Sequence, residues 1–437
     1  MSKTLLGCIA DDFTGATDLA NNLVRAGMRV VQTNGLPTNP LTTDVDAVVI
    51  ALKSRTIPPA DAIAQSLAAL DWLKQAGSSQ IYFKYCSTFD SWYGVDGTGR
   101  RGNIGPVTEA LMDTMDVDFT IATPAFPDNG RTVFKGHLFV GDVLLSESSM
   151  KNHPLTPMRD ANLVCVMQAQ CQRKVGLIDY RTVAAGSDAV RSRITELRAQ
   201  GVGIAIVDAI SNEDLLRIGP ALADLPLVTA GSGVAIGLPQ NFGFQATGAS
   251  ASQAAALPLA KGWQAVVSGS CSQATNAQVA VWQASGRPHK ALNLVEILGS
   301  DAQHHAEVEH VLSWAKPLLP NGPVLIYSTA DAASVKTTQS AMGSDATGAR
   351  VEQALSAIAK GLVELGVQQL VVAGGETSGA CVLALGVEQM QIGQQIDPGV
   401  PWCYGLSSTA GVHIHLALKS GNFGSSDFFD KAFKLLQ

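Results

Sequence analysis

The stretch from Leu5 to Gly27, LLGCIADDFTGATDLANNLVRAG, narrows the choice of fold more than any other. Leu5 to Ala10 is a short apolar run of the kind that forms a buried strand. The run stops at Asp11-Asp12, passes Thr14-Gly15 and resumes with helical spacing, Leu19, Leu23 and Val24 sharing a face. Gly27 stands where a helix C-cap glycine belongs. Such a strand–loop–helix opens an α/β sheet, and ligands of open α/β sheets gather outside the carboxyl ends of the strands. Here that end carries two adjacent acids, a hydroxyl and a glycine. A phosphate cradle at a helix N-terminus avoids nearby carboxylates. Two acids suit the hydroxyls of a polyol, a cation, or a proton to be abstracted. The plainer role is capping: Asp12 suits an N-cap, and Asp18 suits the first turns near the positive helix end.

With 437 residues the chain exceeds what one core usually covers, which predicts two domains. A hydrophobic content of 46% with 15% charged residues gives ample core and a soluble globular class. The net charge of −7 and the lack of any basic run argue against a nucleic-acid partner. Anionic substrates remain open to it through local Arg, Lys and helix termini. The N-terminus meets acids too early for a signal peptide, and no apolar run approaches a membrane span, so no membrane partner is expected. The cysteines number seven, form no CxxC and lie partly in apolar runs, which is reduced, cytoplasmic usage.

In the first half, apolar strands alternate with helices, which predicts a largely parallel sheet. VDAVVIA at 45–51 is followed by Arg55, and IYFKYC at 81–86 by Ser87, Thr88 and Asp90. A glycine-rich loop carries Arg100, Arg101 and Asn103, and the strand 119–123 ends in Pro124 to Arg131. Each cluster alone is an ordinary loop. At successive strand ends of one sheet they converge on one edge. Arg55 and Arg131 suit a substrate carboxylate, because a guanidinium pairs with one bidentately. His153 sits in an irregular polar segment with Thr156, Arg159 and Asp160, a weak site signal. Gly231 to Gly237 tempts a dinucleotide reading, yet it is GxGxxxG, is cut off by Pro239 and lacks the following ribose-binding acid.

The Ala/Ser/Gly-rich segment 241–262 is the natural boundary, dividing a domain at 1–240 from one at 263–437. In the second half three small-residue loops follow three strands: Ser268-Gly269-Ser270-Cys271-Ser272, Gly374-Gly375-Glu376-Thr377-Ser378-Gly379 and Lys419-Ser420-Gly421-Asn422-Phe423-Gly424. The second is read as a loop leading into a helix from Ala380. Small residues let backbone N–H groups approach polyphosphate oxygens. No GxxxxGK[ST] string occurs; the nearest, Gly343 to Gly348, continues with Ala349 where lysine belongs. One domain thus suits a small polar anion and the other a nucleotide. Joined across a cleft, they predict a small-molecule kinase that uses ATP and Mg²⁺.

The string IADDFTGATD at 9–18 resembles the signature of the four-carbon acid sugar kinase family. The resemblance continues through YFKYCSTFDS, GNIGPV, PAFPDNGRTVFKGHLFVGD, HPLTPMRDANLV, GSCSQAT, AGGETSGA, IDPGVPW and LKSGNFG, in order along nearly the whole chain. It implies an N-terminal substrate domain, a C-terminal nucleotide domain and ATP-dependent phosphorylation of a sugar acid, 3-oxo-tetronate before erythronate or threonate, at its terminal hydroxyl. It places ATP contacts at Ser268, Gly374, Gly375, Glu376, Thr377 and Gly421, with Glu376 near Mg²⁺. Asp11, Asp12 and Arg55 become the catalytic candidates, with Asp11 or Asp12 as base or as anchor for hydroxyl and metal. The substrate contacts become Thr14, Lys84, Ser87, Thr88, Asp90, Asn129, Arg131 and His153. The segment SWYGVDGTGRRG is longer than the family pattern, so Arg100 and Arg101 are left out. An oligomer remains open. The rival classes are an NAD-dependent oxidoreductase acting through Gly231 to Gly237 and a non-catalytic acid-sugar sensor.

Overall fold

The computed structural model describes residues 4–41, 44–94, 99–153, 156–244, 248–328 and 344–436. The chain divides into two compact units, Met1–Ala255 and Ala256–Gln437. Among the described residues the first holds thirteen strands in chain order: β1 Leu6–Ala10, β2 Val30–Asn34, β3 Ala47–Ala51, β4 Gln80–Lys84, β5 Trp92–Gly94, β6 Gly99–Arg101 and β7 Thr120–Thr123, then β8 Arg131–Phe134, β9 His137–Val140, β10 Val143–Leu144, β11 Lys174–Ile178, β12 Val202–Val207 and β13 Leu227–Ala230. Eight of them run parallel in the order β11-β12-β7-β13-β4-β1-β3-β2. Strands β1, β3 and β4 are buried at every residue, as expected of parallel strands covered on both faces. The helix Pro59–Gln75 begins with proline in its first turn, where the missing N–H costs nothing. β8, β9 and β10 form a small antiparallel sheet, and β5 pairs with β6.

The strand order positions the site. From β1 the chain goes to β2 and β3 on one side, then returns to β4 on the other. β1 and β4 therefore flank the topological switch point, outside whose carboxyl ends ligands of open α/β sheets bind.

The second unit holds β14 Trp263–Ser268, β15 His289–Ala291, β16 Val324–Tyr327, β17 Val367–Ala373, β18 Gln389–Asp397, β19 Val400–Ser407 and β20 Val412–Lys419, in the order β18-β19-β20-β17-β14-β16-β15. Pairing is parallel from β20 to β15 and antiparallel from β18 to β20. The antiparallel meander is an addition to the sequence reading, which assigned neither β18 nor β19. Only Pro398-Gly399, with Gly399 at φ +78°, separates these two strands. A parallel return needs a crossover of a dozen residues or more. Trp402 of β19 is buried among Phe428, Phe429 and Phe433, and its indole N–H donates to the Ala432 carbonyl at 2.9 Å.

One element boundary differs from expectation. The GGET stretch is not a loop ahead of a helix at Ala380, because the helix runs Gly375–Ala384 and already contains Gly375, Glu376 and Thr377. Gly374, at φ +125°, makes the turn that the sequence pattern attributes to the whole run. Within the segment read as a linker, Gly248–Ala254 is helical. Positions 95–98, the side chains of Arg100 and Arg101, Pro154, and Gly343 of the string Gly343 to Gly348 lie outside the described residues.

Candidate active site

In the first unit, Asp11 and Asp12 follow β1 directly, and Arg55 follows β3 on the loop 52–58. The Arg55 guanidinium grips Asp11 with two parallel bonds, Nε to Oδ2 and Nη2 to Oδ1, both 2.9 Å. It also reaches Asp12 Oδ1 at 2.7 Å and Asp90 Oδ2 at 3.7 Å. Lys84, the last residue of β4, is 3% exposed and places its ammonium 3.6 Å from Asp12 Oδ1. Asp12 is also the N-cap of the helix Phe13–Arg25: its carboxylate accepts from the Gly15 N–H at 3.0 Å and the Thr14 hydroxyl at 2.8 Å. Capping and site therefore coincide in one residue. Gly15 is required for space, since a Cβ there would fall 1.9 Å from the Lys84 ammonium and 2.1 Å from Asp12 Oδ1.

The two acids differ. Burial works against ionisation of Asp12, but Arg55, Lys84, Thr14 and Gly15 outweigh it and hold its pKa at about 2. Its side chain keeps 22% of its surface, against 6% for Asp11. Asp11 is thus walled in by Arg55, while Asp12 keeps part of its surface open to solvent. Thr88 and Asp90, both buried, are linked by a 2.7 Å bond, and Phe89 between them adopts φ +53°. A left-handed backbone at a buried aromatic is strained, and here it shapes the turn that carries Asp90 toward Arg55. Ser87 is buried beside them. Arg131 bonds to the Asn129 carbonyl and lies within the fields of Asp18 and Asp90. His153 is engaged locally, by the N–H and hydroxyl of Thr156, and no ion pair or hydrogen bond among the described residues joins it to the acids.

For some residues that the sequence reading named, the contacts were not foreseen. The Asn103 amide donates to the carbonyls of Ser54 at 2.8 Å, Arg55 at 3.2 Å and Ile57 at 2.8 Å, and so fixes the Arg55 loop. Asp18, 3% exposed, accepts the Ser232 hydroxyl at 2.5 Å, and Asn22 donates to the Ser232 carbonyl. Burial pushes the Asp18 carboxyl up to about 7, against the pull of Lys84 and Ser232. No local pattern marks these contacts.

In the second unit, the three small-residue segments follow β14, β17 and β20, which are neighbours in the sheet. They close on one another. A Cβ at Gly269 would meet Thr377 Oγ1 at 2.2 Å, one at Gly374 would meet it at 2.9 Å, and one at Gly421 would meet Ser270 Oγ at 2.4 Å. Ser272 and Thr275 both donate to the Gly421 carbonyl. Ser268 and Thr377 are buried, while Gly375 and Glu376 are exposed at the start of a helix that no side chain caps. This is a cradle of backbone and hydroxyls under a positive helix end, with room that only glycine leaves. Among the described residues no group of three or more His, Cys, Asp or Glu side chains forms a ready metal cage.

Two family models cover the chain in sequence: a sugar-binding N-terminal domain over residues 6–238 and a nucleotide-binding C-terminal domain over residues 265–429. A 3-oxo-tetronate kinase of Burkholderia multivorans is 57% identical over 100% of this chain and 98% of its own. One from Pseudomonas savastanoi is 55% identical over 100% and 98%. The chain belongs to the four-carbon acid sugar kinase family. A solved Salmonella typhimurium structure matches with TM-score 0.84 and 42% identity over 99% of both chains. One from Haemophilus influenzae matches with TM-score 0.76 and 44% identity over 99% of this chain and 100% of the other.

Within this kinase family setting, Gly231 to Gly237 loses its dinucleotide reading. A Cβ at Gly233 would strike the Ala125 carbonyl at 2.1 Å, and one at Gly237 the Leu215 carbonyl at 2.3 Å. These glycines serve close backbone packing, and the segment makes a short 3-10 turn, Gly233–Ile236. No helix among the described residues is long and apolar enough to cross a membrane.

Proposed function

We propose that this chain transfers the γ-phosphoryl group of ATP to the terminal hydroxyl of 3-oxo-tetronate, giving 3-oxo-tetronate 4-phosphate and ADP in the cytoplasm. The observation that carries the reading is the pairing of functions in one chain: a carboxylate–guanidinium–ammonium cluster at a switch point and a glycine–hydroxyl cradle at a second set of strand ends. The names of relatives 52–57% identical over essentially the whole chain support the substrate.

Asp12 orients the hydroxyl and receives its proton as the oxygen bonds to phosphorus and the bond to ADP breaks. A carboxylate held near pKa 2 is ionised at every physiological pH. That suits a loose transition state in which positioning outweighs base strength. Asp11 and Arg55 act through Asp12: Arg55 spans both acids and fixes their spacing. Lys84 and Arg131 supply positive charge for the substrate carboxylate, with Thr14, Ser87, Thr88, Asp90 and Asn129 around its hydroxyls. Ser268, Gly374, Gly375, Thr377 and Gly421 hold the nucleotide. Mg²⁺ typically keeps several waters and takes one or two carboxylates plus phosphate oxygens, which fits the exposed Glu376. It would neutralise charge on the phosphates.

The test is ADP release by purified protein with ATP, Mg²⁺ and, separately, 3-oxo-tetronate, erythronate and threonate. Selective turnover of 3-oxo-tetronate is the expected result. Turnover of erythronate or threonate in its place moves the substrate and keeps the mechanism. No ADP with any acid, from folded protein, overturns the kinase reading.

A further inference from the structure

Lys419 ends β20 and is fully buried. Its ammonium, with three N–H groups, has four oxygens within hydrogen-bond distance: Thr275 Oγ1 at 2.9 Å, the carbonyls of Ser420 and Gly421 at 3.0 Å each, and the Phe423 carbonyl at 3.1 Å. All four belong to the segments that frame the nucleotide cradle. No acid among the described residues lies within ion-pair distance of it. β14, β17, β19, the helix Gln273–Ala284 and the stretch 420–425 contain no Asp, Glu, Lys, Arg or His. The charged groups on the remaining neighbouring elements are engaged elsewhere or exposed. Asp397 is held by Lys431 and Ser425, Asp430 by Arg287 and Lys434, and Asp427 by Ser425, while Glu376 is exposed on its helix and His413 and His415 lie in the first half of β20.

A buried cation ringed only by neutral oxygens is an unusual arrangement, because desolvation of the charge is left without a counter-ion. Burial brings the Lys419 amine down to about 7, so near neutrality it is divided between charged and uncharged forms. The polyphosphate of a nucleotide is the missing negative charge.

We propose that Lys419 is the buried counter-charge of the nucleotide cradle: it positions the Gly421 segment from beneath, and nucleotide binding holds it as the ammonium, so that binding takes up a proton. This rests on the nucleotide reading of the second unit. Lys419 needs no contact with the nucleotide. It acts through Thr275 and Gly421, whose carbonyl also receives Ser272. Linkage makes the effect reciprocal: whatever raises the proton affinity of Lys419 on binding is lost from nucleotide affinity once the amine is neutral. Affinity is therefore flat below about pH 6.5 and falls above pH 7, by up to about tenfold per pH unit for one coupled proton.

The experiment is titration calorimetry of Mg-ATP into the full chain at pH 6 and pH 8, each in two buffers of different ionisation enthalpy. The expected result is uptake approaching one proton per nucleotide at pH 8 and near zero at pH 6. Lys419→Arg, always charged, should bind with no uptake and a flat pH profile. Lys419→Met should bind more weakly at pH 6, also without uptake. Wild-type binding without uptake at pH 8 overturns the proposal, whatever the variants do, and so does uptake that persists in Lys419→Arg. Folded wild-type protein that binds no nucleotide overturns the nucleotide reading, and this inference with it.

Discussion

The carboxyl ends of β1, β3 and β4 present charged side chains, whereas those of β14, β17 and β20 present mostly glycine, serine and threonine, with Glu376 an exposed acid among them. The first site is a lattice of ion pairs in which Arg55 touches Asp11, Asp12 and Asp90. The second is built from backbone and hydroxyls, with the buried cation Lys419 set beneath the surface. The difference follows from what each would bind. A sugar acid has hydroxyls that need acceptors and a proton to give up, so carboxylates must be present and must be restrained by cations. A polyphosphate needs donors and tolerates no neighbouring carboxylate except through a metal. The first site should therefore be sensitive to loss of charge, and the second to added volume.

The largest expected effect tests the first half of that statement. Asp12→Asn keeps an N-cap side chain and nearly the same shape, so the helix Phe13–Arg25 should survive. Turnover should fall by about 10³-fold or more while ATP affinity stays within about twofold. Wild-type kcat in Asp12→Asn would remove Asp12 from the chemistry. Asp11→Asn probes the lattice itself. It leaves the half-buried Arg55 guanidinium without its bidentate carboxylate while Asp12 and Asp90 remain beside it, which should cost about 1.5–3 kcal/mol of stability. Hydrogen exchange in β1 and β3 would report it, and exchange in β14 and β17 should not change.

How far the sequence reaches depends on the same distinction. The acids, the Arg55 loop and the glycine segments were legible, because each is a local pattern at the end of an apolar strand. The helix Pro59–Gln75 carries its own marks in the sequence, a proline that opens it and leucines that recur along it. The β18–β19 hairpin was not legible: QMQIGQQID mixes polar residues with an interior glycine and reads as neither strand nor helix. Lys419 reads as a surface residue at a strand end, and nothing local reveals that Thr275 lies over it. Asp18 and Ser232 are 214 positions apart, so only the fold joins them. Arg55 was read as a substrate clamp, yet its guanidinium is engaged by Asp11 and Asp12, a choice among acids that spacing does not encode.

The next effect tests the second half of the comparison. Gly421→Ala puts a Cβ 2.4 Å from Ser270 Oγ and presses on the contact between two arms of the cradle. Overpacking of this kind costs about 1–3 kcal/mol, which, where it falls on the nucleotide-bound state, is about a 5- to 150-fold rise in the KM for ATP, with the KM for the sugar acid unchanged. A KM for ATP that stays at the wild-type value would mean that this glycine does not border the nucleotide.

The smallest effect sharpens the comparison through pH. The folded pKa of Asp12, about 2, lies below its ordinary value of 3.8, so its ionisation stabilises the first unit above pH 4. That contribution is lost as pH falls from about 4 to 2, and for a side chain that keeps some solvent contact it is on the order of 1–2 kcal/mol. Many other carboxylates titrate in the same window, so the informative quantity is a difference. Between pH 5 and pH 2, hydrogen exchange in β1 should show wild type losing more stability than Asp12→Asn. Equal losses would show that Arg55 and Lys84 do not hold Asp12 in the folded state. Lys419 works on the opposite limb, with nucleotide affinity weakening above pH 7. The carboxylate site should thus be vulnerable on the acid side and the cradle on the alkaline side, because one stores its charge on ion-paired acids and the other on a buried base without a counter-ion.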